Sequence, residues 1–537
     1  MTRAAAGTFY SWLVSLAVAL GGFLMGFDAS VISGVVGFID TEFRLTDLQL
    51  GWAVASLTLS ATVSMMVCGP LADRYGRRRV LRIAALLFGV SAVASALAPN
   101  FLLLVIARML GGLGVGAALI VAPMYIAEIA PAHIRGRLVA LNQLNIVVGI
   151  SAAFFSNYLI LQLGQADMPW AGALGLGVWN WRWMLGVEAL PALVYFAALL
   201  LVPESPRWLG MRGRTREARA IMQRVHGAAG ADRVLAALAA TTEPGRAAAV
   251  VPLNELFGTS MRRVLVIALV VAVLQQITGI NAVFFYAPMI FEQSGIGTDA
   301  AFMQAVLVGL VNLAFTVAAL LLIDRLGRRP LLLAGTAGVA VCMVLLAWAF
   351  GSATYTLTDR ALAELPAAID SGALAALVGT TFDSDVAFKG ALAAAVGSET
   401  VAEYESALVA AAIRADSGLI LVGILGFVAS FAVSLGPVMW VLFSELFPNR
   451  IRGLAISFVG LVNSSCSFLV QLLFPWEIAN IGSAGTFLIY GLFAMAGFLV
   501  ILRLMPETKG RSLEELEAQL VDSQLEVTSG RVPSTRG

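Results

Sequence analysis

Twelve apolar stretches of roughly membrane length, separated by polar connections, leave this chain few ways to fold. They lie at approximately 10–38, 50–72, 80–98, 101–125, 137–162 and 183–202, then 262–292, 302–323, 330–351, 417–444, 454–476 and 484–505. About 20 helical residues cross the hydrocarbon of a bilayer. Inside it every backbone N–H and C=O must be paired within the protein, so only helices or a closed barrel survive. The lengths, and a composition rich in Gly and Ala, select helices. Only 12% of residues are charged and 59% are hydrophobic, against about 25% charged for a soluble domain. Only Arg3 precedes the first apolar run, and that run lacks a small-residue cleavage site followed by a soluble domain. It reads as the first span and not as a signal peptide.

Arginine sets the expected orientation. Arg74, Arg77, Arg78, Arg79 and Arg82 crowd the connection after span 2, and Arg135 and Arg137 follow span 4. Eight arginines lie between Arg207 and Arg246; Arg325, Arg328 and Arg329 follow span 8, and Arg450 and Arg452 follow span 10. The alternate connections have almost none, which places both termini in the cytoplasm. The polar stretch 203–261 has a helical pattern near Thr215–Ala240. The tail has another near Ser512–Gln524, where Ser512 reads as an N-cap before two acids. The last dozen residues read as disordered.

The halves repeat. Asp73-Arg74-Tyr75-Gly76-Arg77-Arg78 returns as Asp324-Arg325-Leu326-Gly327-Arg328-Arg329. Glu128, Pro131, Arg135 and Gly136 return at the same spacing as Glu445, Pro448, Arg452 and Gly453. From Asp73 to Glu128 is 55 residues and from Asp324 to Glu445 is 121, so the second half carries about 66 more. They map to 352–416, between spans 9 and 10. Nine acids there face only Arg360, Lys389 and Arg414. This acidity, and the alternation of connections, predict a small, largely helical cap on the exterior. The expected division is 1–202, a cytoplasmic linker at 203–261, 262–505 with the exterior insert, and a cytoplasmic tail at 506–537. Duplication of this kind is how transporters are built.

Other classes find little support. Cys68, Cys342 and Cys466 all fall in apolar segments, as small buried hydrophobes do. No metal-ligating cluster or cofactor motif is present, and none of HExxH, CxxC, GxSxG or GxxxxGK[ST] occurs in its required context. A net charge of +1 and the lack of a basic, aromatic-interleaved patch argue against nucleic acid. No cofactor is expected, and the only partners are the bilayer and whatever passes through it.

Chemistry can sit where polar groups interrupt apolar spans. Asp28 lies well inside span 1 and Arg108 opens span 4. A lone carboxylate in hydrocarbon costs roughly 2.5–3.5 kcal/mol even on the mild insertion scale, so it must protonate, pair or line water. One reading is a proton site switched by pairing with Arg108; the other is a permanent ion pair. Gln143 lies in span 5, Gln275, Gln276 and Asn281 in span 7, Asn312 in span 8, Trp440 in span 10 and Asn463 in span 11. Any single amide in a span is more readily interhelical glue. A group of them, with a Trp face, suits a neutral polyhydroxylated molecule better than an anion. Gly111, Gly112, Gly114 and Gly116 read as close helix packing, since no strand precedes them. At the span ends sit Asp73, Arg77, Glu128, Arg135, Glu204, Arg207, Asp324, Arg328, Glu445 and Arg452. Paired across the halves, they would form a cytoplasmic gate of weak ion pairs able to open. Arginine alone would serve topology, but the repeated acids argue for pairing.

Taken as a set, these strings resemble the sugar porter family of the major facilitator superfamily. The matching residues are Gly69-x-x-x-Asp73-Arg74-x-Gly76-Arg77-Arg78, Pro123-x-Tyr125-x-x-Glu128, Pro203-Glu204-Ser205-Pro206-Arg207, the Gln275-Gln276…Asn281 run and Pro506-Glu507-Thr508-Lys509-Gly510. They span about 20 to 515, apart from the insert. The resemblance implies an all-α polytopic membrane protein, twelve transmembrane helices in two six-helix bundles plus cytoplasmic helices, that alternates between outward-open and inward-open states. It implies hexose contacts at Gln143, Gln275, Gln276, Asn281, Asn312 and Trp440. Asp28 matches the carboxylate of proton-coupled sugar symporters, where facilitative glucose transporters usually carry a neutral residue. Ser464 and Ala432 depart from the pattern, in place of an aromatic and a glutamate respectively. The expectation is import of a monosaccharide with a proton by a monomer in the plasma or inner membrane. A sugar or polyol uniporter, or a sensor that hardly transports, are the alternatives.

Overall fold

The computed structural model describes residues 3–131, 133–241, 253–258, 261–366, 369–448 and 450–509. The helix expected near Ser512–Gln524 and the tail after it lie outside these residues. All twelve expected spans are helical. The first, Arg3–Val31, passes through a 3-10 turn at Ile32–Gly34 into a short helix, Val36–Phe43. Asp47–Tyr75, Arg77–Ala96, Phe101–Ile129 and Arg135–Gln165 follow as unbroken rods. The sixth is Asn180–Gly186 with Ala189–Leu201. The eighth and ninth are Thr298–Leu326 and Arg328–Gly351. Starts are set by local chemistry: Thr46 and Gln49 form a reciprocal capping box, and the Asn100 and Asp416 side chains accept from Leu103 N and Leu419 N.

Three later spans differ from plain rods. The seventh is broken into Arg262–Ile277, Ile280–Phe285 and Ala287–Glu292, with Gly279 at φ +86°. The tenth breaks at Ser434, between Ser417–Val433 and Leu435–Leu446. The eleventh and twelfth run together as Arg452–Leu504, non-helical only at Gly482. Broken helices inside a bundle free backbone groups where a cavity or a moving joint can use them.

Small residues set the packing. A Cβ on Gly112 would lie 2.3 Å from Leu57 O, and one on Gly116 2.2 Å from Ala61 O, so spans 2 and 4 touch backbone to backbone. Lipid is as apolar as leucine, so such close contact, and not burial from water, drives helix association. Span 2 also packs along span 11, and span 5 along span 8; these seams join the halves. Exposed Val90, Leu193, Leu321 and Val341 make the outward faces apolar, as a lipid-facing surface requires.

The molecule has an arginine-rich face, carrying both Asp-Arg-x-Gly-Arg-Arg turns, and an opposite face covered by the insert. The insert has helices Asp359–Glu364, Ser371–Leu374, Asp385–Val396 and Ser398–Ala412. It also holds a small antiparallel sheet, which the helical expectation missed. Strand β1 (Thr354–Thr356) lies between β2 (Thr381–Phe382) and β3 (Ile413–Arg414), with Tyr355 opposite both Phe382 and Ile413. The reason is positional: β1 and β3 flank the ends of spans 9 and 10, and pairing satisfies their backbones where the chain leaves and re-enters the bundle. Tyr355, Leu374, Phe388, Leu392, Leu408 and Val409 form the cap's own core.

Candidate functional site

Asp28 and Arg108, 80 residues apart, meet in the first bundle with each 1% exposed. Arg108 Nη1 lies 3.4 Å from Asp28 Oδ1, and Nη2 donates to the Asp28 carbonyl at 3.3 Å. Gly111 makes the room: a Cβ there would lie 2.6 Å from Asp28 Oδ2. Glu188 is a third member that the sequence reading missed. It sits between the two helices of span 6, is 2% exposed, and interacts electrostatically with both Asp28 and Arg108. A second buried carboxylate thus lies within electrostatic reach of the Asp28–Arg108 pair without joining it. Asp28 Oδ2, Arg108 Nε and Glu188 Oε1 have no hydrogen-bond partner among the described residues. Buried charge so sparsely satisfied is costly unless a proton neutralises one carboxylate. The signal for Glu188 was present: it interrupts the apolar run Met184–Leu190 as Asp28 interrupts span 1.

The amides of the second bundle form a connected network. Gln275 Nε2 donates to Leu435 O at 3.0 Å, next to the break at Ser434. Gln276 Nε2 donates to Gln275 Oε1 (3.2 Å) and Asn463 Oδ1 (3.1 Å), while Asn463 Nδ2 donates to Gln275 Oε1 and Ala272 O, both at 2.8 Å. Asn281 Nδ2 reaches Gln276 Oε1 at 2.8 Å and Ser467 Oγ at 2.6 Å. Gln471 Nε2 donates to Ser467 Oγ at 2.8 Å, and Thr58 Oγ1, from the first half, donates to Gln471 Oε1 at 2.8 Å. Ser467 and Gln471 were not anticipated, although with Asn463 they recur every four residues along one helical face. Gln143 and Asn312 stand apart from this network, without a side-chain hydrogen bond among the described residues. Trp440, 43% exposed, sits on the short helix after the tenth-span break.

The arginine-rich face holds two matching clusters. Arg77 makes a two-pronged pair with Glu128, both contacts at 3.0 Å, and a 2.8 Å bridge to Asp73. Ser205 Oγ donates to Glu128 at 2.5 Å, and Glu204 accepts from the backbone N–H groups of Arg78 and Ser205. In the second half Arg328 bridges Glu445 at 2.7 Å and Asp324 at 3.3 Å; Thr508 Oγ1 donates to Glu445, and Glu507 accepts from Arg328 N and Arg329 N. Burial opposes ionisation of Glu507, yet the backbone N–H groups of Lys509, Arg328, Arg329 and Thr508 hold its carboxyl below the ordinary range. Pro203-Glu204-Ser205 and Pro506-Glu507-Thr508 are therefore equivalent pieces, a repeat the sequence reading did not align.

Pairing across the halves, expected in one state of the cycle and not in the other, is not present in this state among the described residues. Among the described residues, each ion pair made by the ten span-end residues stays within one half. Arg135 and Arg452 donate instead to the carbonyls of Ala130 and Phe447, and Arg207 makes no ion pair among the described residues. The reason is local: each Asp-Arg-x-Gly-Arg turn delivers its arginine to the glutamate ending a span of the same bundle. The halves meet toward the cap face. There Ile32–Gly34 packs on Ile280–Phe285 and Ala287–Glu292, the Phe38 and Phe302 rings are 6.4 Å apart, and Gln165 Nε2 donates to Asp299 at 2.8 Å.

A family model described as "Sugar (and other) transporter" matches residues 14–382 and 387–520. The arabinose-proton symporter of Bacillus subtilis (strain 168) is 34% identical over 506 residues, 94% of each chain. The D-xylose-proton symporter of Escherichia coli (strain K12) is 34% identical over 544 residues, 95% of each. Among solved structures, the inward open conformation of the xylose transporter XylE from E. coli superposes with a TM-score of 0.72 at 32% identity, over 95% of this chain and all of that one. The proton:xylose symporter XylE bound to 6-bromo-6-deoxy-D-glucose, a member of the major facilitator superfamily, gives 0.66 at 32% identity over 96% and 100%.

Proposed function

The chain belongs to the sugar transporter family, and on that premise we propose that it imports a monosaccharide together with a proton by alternating access. The observation that carries the coupling is the buried trio of Asp28, Arg108 and Glu188. A uniporter has no use for two buried carboxylates around one arginine. A proton on Asp28 loosens its hold on Arg108 and lets Arg108 turn toward Glu188; loss of the proton restores the Asp28–Arg108 pair. One proton crossing 100 mV contributes ~2.3 kcal/mol and one pH unit ~1.4, together enough for roughly a few hundredfold accumulation.

The sugar binds between the halves, with Gln275, Gln276, Asn281 and Asn463 presenting amide donors and acceptors from one side. Gln143 and Asn312 bring polar groups from spans 5 and 8, and Trp440 brings an apolar face. Hydroxyl groups exchange for amide–amide hydrogen bonds at little net cost. The amides already hold one another in place, so little ordering is needed on binding. With the arginine-rich face in the cytoplasm, as the arginine distribution requires, contact at the cap face and separate clusters opposite make this an inward-facing state. The two clusters then act as latches that hold the ends of each bundle together. The working unit is a monomer, since one chain supplies both halves of the path.

The test is sugar uptake into proteoliposomes under an imposed proton gradient, with and without an uncoupler, beside Asp28→Asn. Concentrative uptake that the uncoupler abolishes, together with an Asp28→Asn variant that still exchanges sugar but no longer concentrates it, is the expected result. Uptake that never exceeds equilibrium makes the chain a uniporter. Concentration indifferent to both changes removes the trio from the coupling.

A further inference from the structure

We infer that the exterior domain 352–416 is the moving outer gate, and that Asp40 of the first half and Glu405 of the domain form a proton-dependent seam holding it closed. This rests on the alternating-access reading, and on no particular sugar.

The domain is fixed to the second half at several points. Its first and last strands lie beside the ends of spans 9 and 10. Asp385 accepts from Ser483 N at 3.0 Å, at the joint between spans 11 and 12, and fills the space a side chain at Gly482 would need. Gln293, at the end of span 7, donates to Glu405 at 3.0 Å, and Lys389 bridges Glu405 at 2.5 Å. Ile413 presses on Gly295, where a Cβ would lie 2.3 Å from its methyl. Toward the first half the domain presents Ser398–Ala412, which packs on Val36–Phe43, the extension of span 1. Any motion that parts the halves at this face must therefore part these two helices, while the domain travels with the second half.

The chemistry of this contact is unusual. Across this helix contact Asp40 lies within electrostatic reach of Glu405 on the domain and of exposed Asp47 at the start of span 2; Lys389 pairs with Glu405 and also acts on Asp47. On its own helix Glu42 is engaged elsewhere, accepting from Trp181 and bridging Arg182, and Arg44 is exposed. Three carboxylates and one ammonium thus converge. Glu405 stays ionised: burial opposes this, but Lys389 and Gln293 outweigh it and hold the carboxyl below its usual range. Asp40 goes the other way, pushed up to about 7 by burial first and then by Glu405 and Asp47. The seam is comfortable only when Asp40 carries a proton.

The direction of the pH effect follows. With the seam parted, Asp40 is hydrated and returns to about 4. The closed state therefore binds the proton more tightly. Its advantage is complete below about pH 4, shrinks as pH rises, and is gone above about 7, changing by at most about tenfold per pH unit between. An acid exterior would supply the driving proton and also hold the outer gate shut, which limits uptake when the gradient is steep.

Spin labels at Leu48→Cys and Thr380→Cys, both exposed, read the distance between the first half and the domain in purified protein. The Asp28→Asn background silences the coupling trio. Raising pH from 5.5 to 7.5 should increase the long-distance population at least about fivefold. Asp40→Asn should stay closed at both pH values, and Glu405→Gln should move the midpoint down. A Gly51→Val wedge serves as the positive control for opening. If the wedge lengthens the distance but pH does not, or if the pH response survives Asp40→Asn, this proposal falls alone. If even the wedge leaves the distance unchanged, the alternating-access reading falls and takes the seam with it.

Discussion

Asn463 does more than its neighbours in the amide network. Its one amide serves Gln275 and Gln276 and caps the Ala272 carbonyl, all from 5% exposure. Removing it leaves buried donors and acceptors unpaired, at about 1–3 kcal/mol for the group lost. Asn463→Ala should weaken equilibrium sugar binding by about tenfold or more, read by calorimetry or tryptophan quenching. The protein should still fold, because Gln275 keeps its bond to Leu435 O. An unchanged affinity would assign the network to helix packing. On the proposed reading Asp28 and Asn463 divide the work: one holds the proton within the first bundle, the other shapes the amide site in the second.

The repeated turn is the element that best rewards comparison of the halves. Gly76 and Gly327 sit at φ +99° and +93°, a conformation that β-carbons resist, and each lies against a glutamate, Glu204 or Glu507. That geometry swings Arg77 and Arg328 back to the end of a neighbouring span. The two latches differ in burial, with Arg77 and Glu128 side chains 4% and 7% exposed and Arg328 and Glu445 11% and 26%. Breaking a buried pair leaves an uncompensated charge and costs about 3–5 kcal/mol, whereas a hydrated partner loses far less. Arg77→Ala should therefore lower the thermal midpoint distinctly more than Arg328→Ala, by differential scanning fluorimetry in one detergent. Equal shifts would mean that the two clusters are equivalent supports despite their different exposure.

Across the whole molecule the halves come backbone to backbone and side chain to side chain where span 2 meets span 11. A Cβ on Gly51 would fall 2.0 Å from Leu472 O, and Thr58 bonds Gln471 two turns further on. Gly51→Val should push this seam apart and shift the population toward opening at the cap face. The check is cysteine accessibility at that face, expected to rise, and at the arginine-rich face, expected to fall. Accessibility that rises on both faces would indicate loosening without alternation. The thread from Asn281 through Ser467 and Gln471 to Thr58 gives the amide site a physical connection to this seam, so changes at the site can bias how the halves meet.

The sequence by itself determined the spans, the duplication and the place of the insert on the face opposite the arginine-rich connections. Hydrocarbon admits only helices on long apolar stretches, and the repeated turn is a matter of local spacing. It also singled out Asp28 with Arg108, because each charge interrupts an apolar run and so announces itself. It could not decide partners that arise between distant helices. Glu188 joins Asp28 only because span 6 packs within the same bundle, and Gln471 acquires its role only because Thr58 lies opposite. The Arg77–Glu128 and Arg328–Glu445 pairs form within each half because the turn's backbone aims the arginine, and composition carries no record of that aim. Asp40 and Glu405, 365 positions apart, are ordinary surface acids in the sequence; only the docking of the cap on the first span's extension makes them neighbours.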